Sequence, residues 1–255
     1  MDLSEILSKV SNGKLSPRDA EKLIKLNSIQ EVSDFAKIDT GRSLRKGVPE
    51  IILAEGKTSK QILEIATKMI QSSDRIIISR IDSDQYKYVK NRIKNHRIIY
   101  NEVGNILVLS TKTQKKKSTH GKVAIITAGT ADVSVAEEAK TFLESVYVNV
   151  ITHYDVGVAG IHRLFNSISY VIDEDVDVII AIAGREGAMP SIIAGLVDKP
   201  IIGVPTSNGY GYGEKGISAL TSMLQSCSLG IGTVNIDSGI GAAVFAYLIC
   251  NSLHR

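Results

Sequence analysis

Past residue 120 the chain alternates short β-branched runs with stretches in which apolar positions recur every three or four residues. The runs KVAIITAG, YVNVITHYD, VDVIIAIAG, KPIIGVP and GIGTVNID are apolar almost without interruption rather than at every second position. That is the pattern of strands buried on both faces, and the helical segments after them supply the covering layers. The pattern predicts an α/β fold, a three-layer open parallel sheet between helices. Ligands of such sheets bind outside the carboxyl ends of the strands, so the loops after the strands are where chemistry is sought.

Residues 1–112 carry a different, smaller α/β pattern. Two short helices, LSEILSKV and SPRDAEKLIKL, come first, the second with Ser16 as a good N-cap. The strands EIILAE, RIIISRI, RIIY and ILVLS follow. The polar run TKTQKKKST then marks a linker over 113–120, and 121–255 forms the larger domain. Its lysines fit a solvated connector better than a nucleic-acid contact.

Composition narrows the class. At 255 residues with 44% hydrophobic and 22% charged residues, the chain can bury a sizeable core. Two cysteines, Cys227 and Cys250, cannot build a disulfide framework, and MDLSEILSKV lacks the features of a secretion signal. No apolar run approaches the roughly 20 residues that span a bilayer. The expectation is a cytoplasmic protein with free thiols and no membrane partner. A net charge of +3 is too small to imply a nucleic-acid partner.

Four loops hold the unusual residues. In TAGTADVSVAEEA, Gly129 and Thr130 end a strand and a helix opens near Asp132 or Ser134. Either the helix start receives a phosphate or carboxylate, or Asp132 or Ser134 caps it. HYDVGVAGIHRL joins Asp155 to His162 and Arg163 across small residues, although a lone histidine is more often structural. AGREGAMPS places Gly184 and Glu186 at a strand end, Glu186 being a helix-start carboxylate or a general acid/base. Gly211, Gly213 and Gly216 satisfy G-x-G-x-x-G with Asp237 about 20 residues on. They lie in a late unit, not a first βα turn, so a glycine-rich loop closing over a ligand is the better reading.

Taken in order, these loops resemble the aminoimidazole ribonucleotide carboxylase superfamily. ADVSVAEEA, YDVGVAGIHRL, AGREGAMPSIIAGLVDKPIIGVPTSNGYG and LTSMLQSC…GIGTVNIDSGIGAA look most like its nickel-pincer cofactor branch, the LarB family, as does the amino-terminal IDTGRSLRKGVPEIILAEGKT. The resemblance implies a flavodoxin-like catalytic domain and a glutamate and cysteine where Glu186 and Cys227 stand. Purine carboxylases have a glycine and a proline there. Arg185 departs from the pattern, which has an apolar residue; its cation is expected to lower the pKa of Glu186 or to reach a substrate carboxylate.

The implied reaction carboxylates the pyridinium ring of nicotinic acid adenine dinucleotide at carbon 5 and hydrolyses the phosphoanhydride. CO2 or bicarbonate is the co-substrate, and no organic cofactor is called for. Cys227 is the candidate nucleophile, Glu186 the first candidate base and His162 the second. Gly129, Thr130, Asp132, Ser134, Asp155, Arg163, Gly184, Thr206, Ser207 and Gly209 are candidate binding groups. Arg42, Arg45 and Lys57 are candidates for the adenylate or the nicotinate carboxylate. Magnesium is an option for the hydrolysis, with no dedicated ligand cluster in view. Set against this, Cys227 closes a helix as a packing residue, and a thiol at a helix carboxyl end is harder to ionise. Cys250, on the apolar stripe of GAAVFAYLIC, reads as core. That helix also fits a subunit contact, in a homo-octamer whose sites are shared between copies. The alternatives are a purine-pathway carboxylase or mutase and a non-catalytic nucleotide-binding regulatory module.

Overall fold

The computed structural model describes residues 3–26, 29–32, 36–39, 47–71, 73–111 and 121–254. The chain divides into two compact units, 1–100 with 107–114, and 101–106 with 115–255. The run expected to be a linker and the candidates Arg42 and Arg45 lie outside the described residues.

In the first unit, helices α1 (Leu3–Ser11) and α2 (Pro17–Leu26) come first. Ser16 caps α2 as expected: its hydroxyl accepts from the Asp19 N–H at 3.1 Å and donates to the Asp19 carboxylate at 2.6 Å. A two-stranded antiparallel ribbon, β1 (Ile29–Val32) and β2 (Ala36–Asp39), was not anticipated. The four expected strands are β3 (Glu50–Leu53), β4 (Arg75–Ser79), β5 (His96–Asn101) and β6 (Ile106–Thr111), in the order β3-β4-β6-β5. Helices α3 (Ser59–Ile70) and α4 (Ser83–Arg92) each open on a capping box, at Thr58 and Asp82. Ile62, Ile65 and Met69 of α3 pack on Ile52, Ile76, Ile78 and Leu107 of the sheet.

The second unit is the three-layer α/β fold that the pattern predicts. Its five strands are β7 (Lys122–Thr127), β8 (Asn149–His153), β9 (Val178–Ala183), β10 (Ile201–Pro205) and β11 (Ile231–Thr233). They run in the order β11-β10-β9-β7-β8 with every pair parallel. Helices α5 (Val133–Ser145) and α9 (Gly239–Leu253) pack together, and the buried Glu138 of α5 accepts the Ile240 N–H at 3.1 Å, capping α9. Helices α6 (Ile161–Asp173), α7 (Met189–Ala194) and α8 (Ile217–Leu224) cover the other face. There Leu164, Ile168, Met189, Ile193 and Met223 meet Ala124, Ile126, Ile179 and Ala181. Both faces being covered explains the unbroken apolar strands. Among the described residues no helix is long and apolar enough to cross a membrane.

Strand order fixes the site. The chain leaves β7, pairs β8 on one side, then crosses to pair β9 on the other. The loops after β7 and β9 therefore diverge at a topological switch point, where open α/β sheets bind ligands.

Candidate active site

Asp132 organises this edge. It is 4% exposed, and its carboxylate accepts from the Gly129 N–H at 3.0 Å, the Thr206 hydroxyl at 2.6 Å and the Asn208 amide at 3.3 Å. Asn208 also donates to the Ala131 carbonyl at 2.8 Å. One carboxylate thus ties the loop after β7 to the loop after β10. This corrects the capping expectation, since neither Asp132 nor Ser134 makes a side-chain cap to α5. Asp132 holds the loop, while the exposed Thr130 and Ser134 and the half-buried Gly129 present the surface a ligand meets.

The loop after β8 is pinned to the same place. Tyr154 donates to Glu137 at 2.6 Å, and Glu137 also receives the Asn101 amide at 2.6 Å and Lys140 at 3.4 Å. Burial alone would raise the Glu137 carboxyl, but these donors bring it below the usual range. The Asp155 N–H donates to the Thr127 hydroxyl at 3.1 Å, and its carboxylate receives Arg163 at 2.8 Å. The cation of Arg163 is thus half-spent on Asp155. His162 is exposed in the first turn of α6. A Cβ on Gly157 would come within 2.5 Å of the Ala128 carbonyl oxygen, so glycine there lets the two loops touch.

The loop after β9 places Glu186 in solvent. Helix α7 begins three residues on, with no side-chain cap. Arg185 donates to the Tyr210 hydroxyl at 3.0 Å with its guanidinium 4.5 Å from that ring's centroid. Gly184 sits against Asn208 and Thr206, where a Cβ would lie 2.7 Å from the Thr206 hydroxyl oxygen.

Beyond β10, Thr206 is buried on Asp132, and the Ser207 N–H donates to Asp237 at 2.8 Å. Gly209 is exposed beside Arg185, and Gly211–Gly216 forms a 3-10 turn leading into α8. The G-x-G-x-x-G run thus sits in the fourth βα connection and not in a first turn, against a dinucleotide fingerprint.

Cys227 is exposed, three residues past the end of α8, so it closes no helix and stands outside the last turn where a helix end's charge acts. Met223 of α8 packs beside Gly203 at the middle of β10, and Ser226 accepts from Ser191 at 2.9 Å. On the other side of Cys227, the Ser228 hydroxyl donates to the Ser191 carbonyl at 2.8 Å, so both neighbours of the thiol are bonded to the first turn of α7. Lys57 belongs to the first unit, where it donates to the Leu53 carbonyl at 2.8 Å. Cys250 is buried, and its thiol is pushed up to about 12, first by burial and then by Asp177.

Sequence reasoning missed Asn208 and Asp237 as parts of the site, while Tyr210 lies in the GYGYG loop it expected to cover a ligand. Asn208 stands between two residues it did single out, and Asp237 had been weighed only as part of the dinucleotide pattern.

A parallel five-stranded sheet with four loops gathered at the edge that carries its switch point defines an α/β protein of the kind that binds ligands there. Residues 122–254 match the AIR carboxylase family, and the chain belongs to it. Residues 29–112 match the LarB/PurE-like N-terminal domain. Uncharacterized protein MJ0165 of Methanocaldococcus jannaschii is 44% identical over 259 residues, spanning 100% of this chain and 99% of that protein. The N5-carboxyaminoimidazole ribonucleotide mutase of the same organism is 32% identical over 126 residues, 49% of this chain and 75% of the mutase. The corresponding mutase of Pyrococcus horikoshii is 31% identical over 148 residues, 56% of this chain and 77% of the mutase.

Proposed function

We propose that the protein carboxylates nicotinic acid adenine dinucleotide at carbon 5 of its pyridinium ring, using CO2, and hydrolyses the phosphoanhydride. The products are pyridinium-3,5-biscarboxylic acid mononucleotide and AMP, the first step toward a nickel-pincer nucleotide. The observation that carries this reading is Cys227, a free thiol held in solvent rather than in the core, at the position where purine carboxylases have proline.

A pyridinium is too electron-poor to attack CO2. Addition of the Cys227 thiolate to carbon 4 or 6 returns the lone pair to nitrogen and makes carbon 5 the nucleophilic end of an enamine. Carbon 5 then bonds to CO2, a base takes the proton from carbon 5, and the thiolate leaves as aromaticity returns. Glu186, exposed and uncapped at the switch point, is the base in this scheme, with His162 in reserve. Water attack on the diphosphate releases AMP. Among the described residues no group of three or more His, Cys, Asp or Glu is placed to hold a metal ion.

This scheme takes the thiol from a second copy, within the homo-octamer that the family resemblance implies. Helix α9 supports such packing, being apolar on its outer side as well as its inner, with Phe245 and Leu253 left exposed.

The test is mass spectrometry of small molecules after incubation with nicotinic acid adenine dinucleotide and bicarbonate, with and without magnesium. AMP and a mononucleotide one carboxyl group heavier are expected from the wild type and not from Cys227→Ala. An unchanged dinucleotide alongside turnover of N5-carboxyaminoimidazole ribonucleotide would establish the mutase reading, which the two mutases named above favour. No turnover of either would leave a binding module.

A further inference from the structure

We propose that Arg185 and Tyr210 form the subsite for the substrate's ring carboxylate and so select a carboxylated pyridinium over its carboxamide. This rests on the substrate class proposed above. Arg185 has φ +51, a left-handed conformation that a non-glycine residue holds at a cost of about 1 kcal/mol or more. Its neighbours explain why the chain bends there: Gly184 is crowded by Asn208 and Thr206, and Gly187 (φ +62) lies against the backbone of Ala219. The result is a cation carried at the switch point, one residue from Glu186.

A guanidinium has five N–H donors. Arg185 gives one to the Tyr210 hydroxyl, at 3.0 Å. Donors of this kind match a carboxylate in two parallel bonds, which an ammonium or a single amide cannot do. Tyr210 is 77% exposed although aromatic, so the guanidinium covers only a small part of the ring. An open tyrosine face attracts a pyridinium cation. A ring that is cationic and bears a carboxylate satisfies both partners together, stacked on Tyr210 with its carboxylate on Arg185. Carbons 3 and 5 are equivalent positions relative to the ring nitrogen. Clamping the carboxylate on carbon 3 therefore fixes carbon 5 as the one presented for carboxylation.

The experiment is calorimetric titration of the full-length protein, in bicarbonate-free buffer, with nicotinic acid adenine dinucleotide and with nicotinamide adenine dinucleotide. The wild type is expected to bind the acid more tightly. In Arg185→Leu the acid weakens about tenfold to a hundredfold, the worth of a charge-assisted pair, and the amide changes by less than about threefold. Tyr210→Phe keeps the ring and the selectivity, whereas Tyr210→Ala weakens both ligands. Equal binding of acid and amide by the wild type, or an Arg185→Leu protein that keeps its selectivity or loses both ligands alike, overturns the subsite. Selective binding with no carboxylated product would sink the proposed reaction and leave the subsite standing. Product formed by an Arg185→Leu protein of unchanged selectivity would do the reverse.

Discussion

His153, the last residue of β8, carries a buried Nε2 with no hydrogen-bond partner, its ring meeting Tyr170 edge-on at 5.5 Å. Burial penalises the charged ring and pulls its pKa below the ordinary value of 6.5. The unfolded chain then binds a proton that the folded one refuses. Stability from this group is complete above the ordinary value and falls as the pH drops below it. Thermal unfolding from about pH 7.5 to about pH 5.5 should accordingly show a smaller loss of midpoint in His153→Gln than in the wild type. An identical loss in both would mean that the ring is free to ionise in the fold. Asp132 shows the same physics from the other side: a buried carboxylate is tolerated because three donors meet it.

Strand ends and the loops that leave them are the elements that build the site, and close backbone approach is what builds them. Gly184 is the tightest point, since the loop after β10 closes directly over it. Gly184→Ala should therefore cost about 1–3 kcal/mol and lower the unfolding midpoint by several degrees. The displaced Asn208 and Thr206 would release Asp132, so catalytic turnover should fall with it. A variant of wild-type stability would show that the loop after β10 yields easily. The strands themselves were legible because a both-faces-buried strand is written as an unbroken apolar run. The short ribbon of β1 and β2 was not legible, because IQEV and AKID offer no apolar run and only their pairing makes them strands. Nor were the missing caps. Asp132 has the residue type of an N-cap, yet its carboxylate is drawn to Gly129, Thr206 and Asn208 instead.

For the whole molecule, the proposed pairing of Cys227 with Glu186 in one site sets a test of how copies combine. If each site draws its thiol from one copy and its carboxylate from another, Cys227→Ala and Glu186→Gln are each nearly inactive alone. Assembled together from a co-expressed mixture, they regain on the order of a quarter of wild-type activity, the share of sites drawing both intact residues by chance. No recovery in mixed assemblies of confirmed octameric mass would place both residues in one copy. What the sequence alone determined is the set of parts: two α/β patterns, five short apolar strands, a thiol, a carboxylate and glycine-rich loops. These are local properties, set by side-chain size, polarity and backbone freedom. Only the tertiary structure decided which parts meet. Strand order does not follow from chain order, so the switch point between β7 and β9, the union of Asp132 with Thr206 and Asn208 and the clasp of Arg185 on Tyr210 appear only when the sheet is assembled.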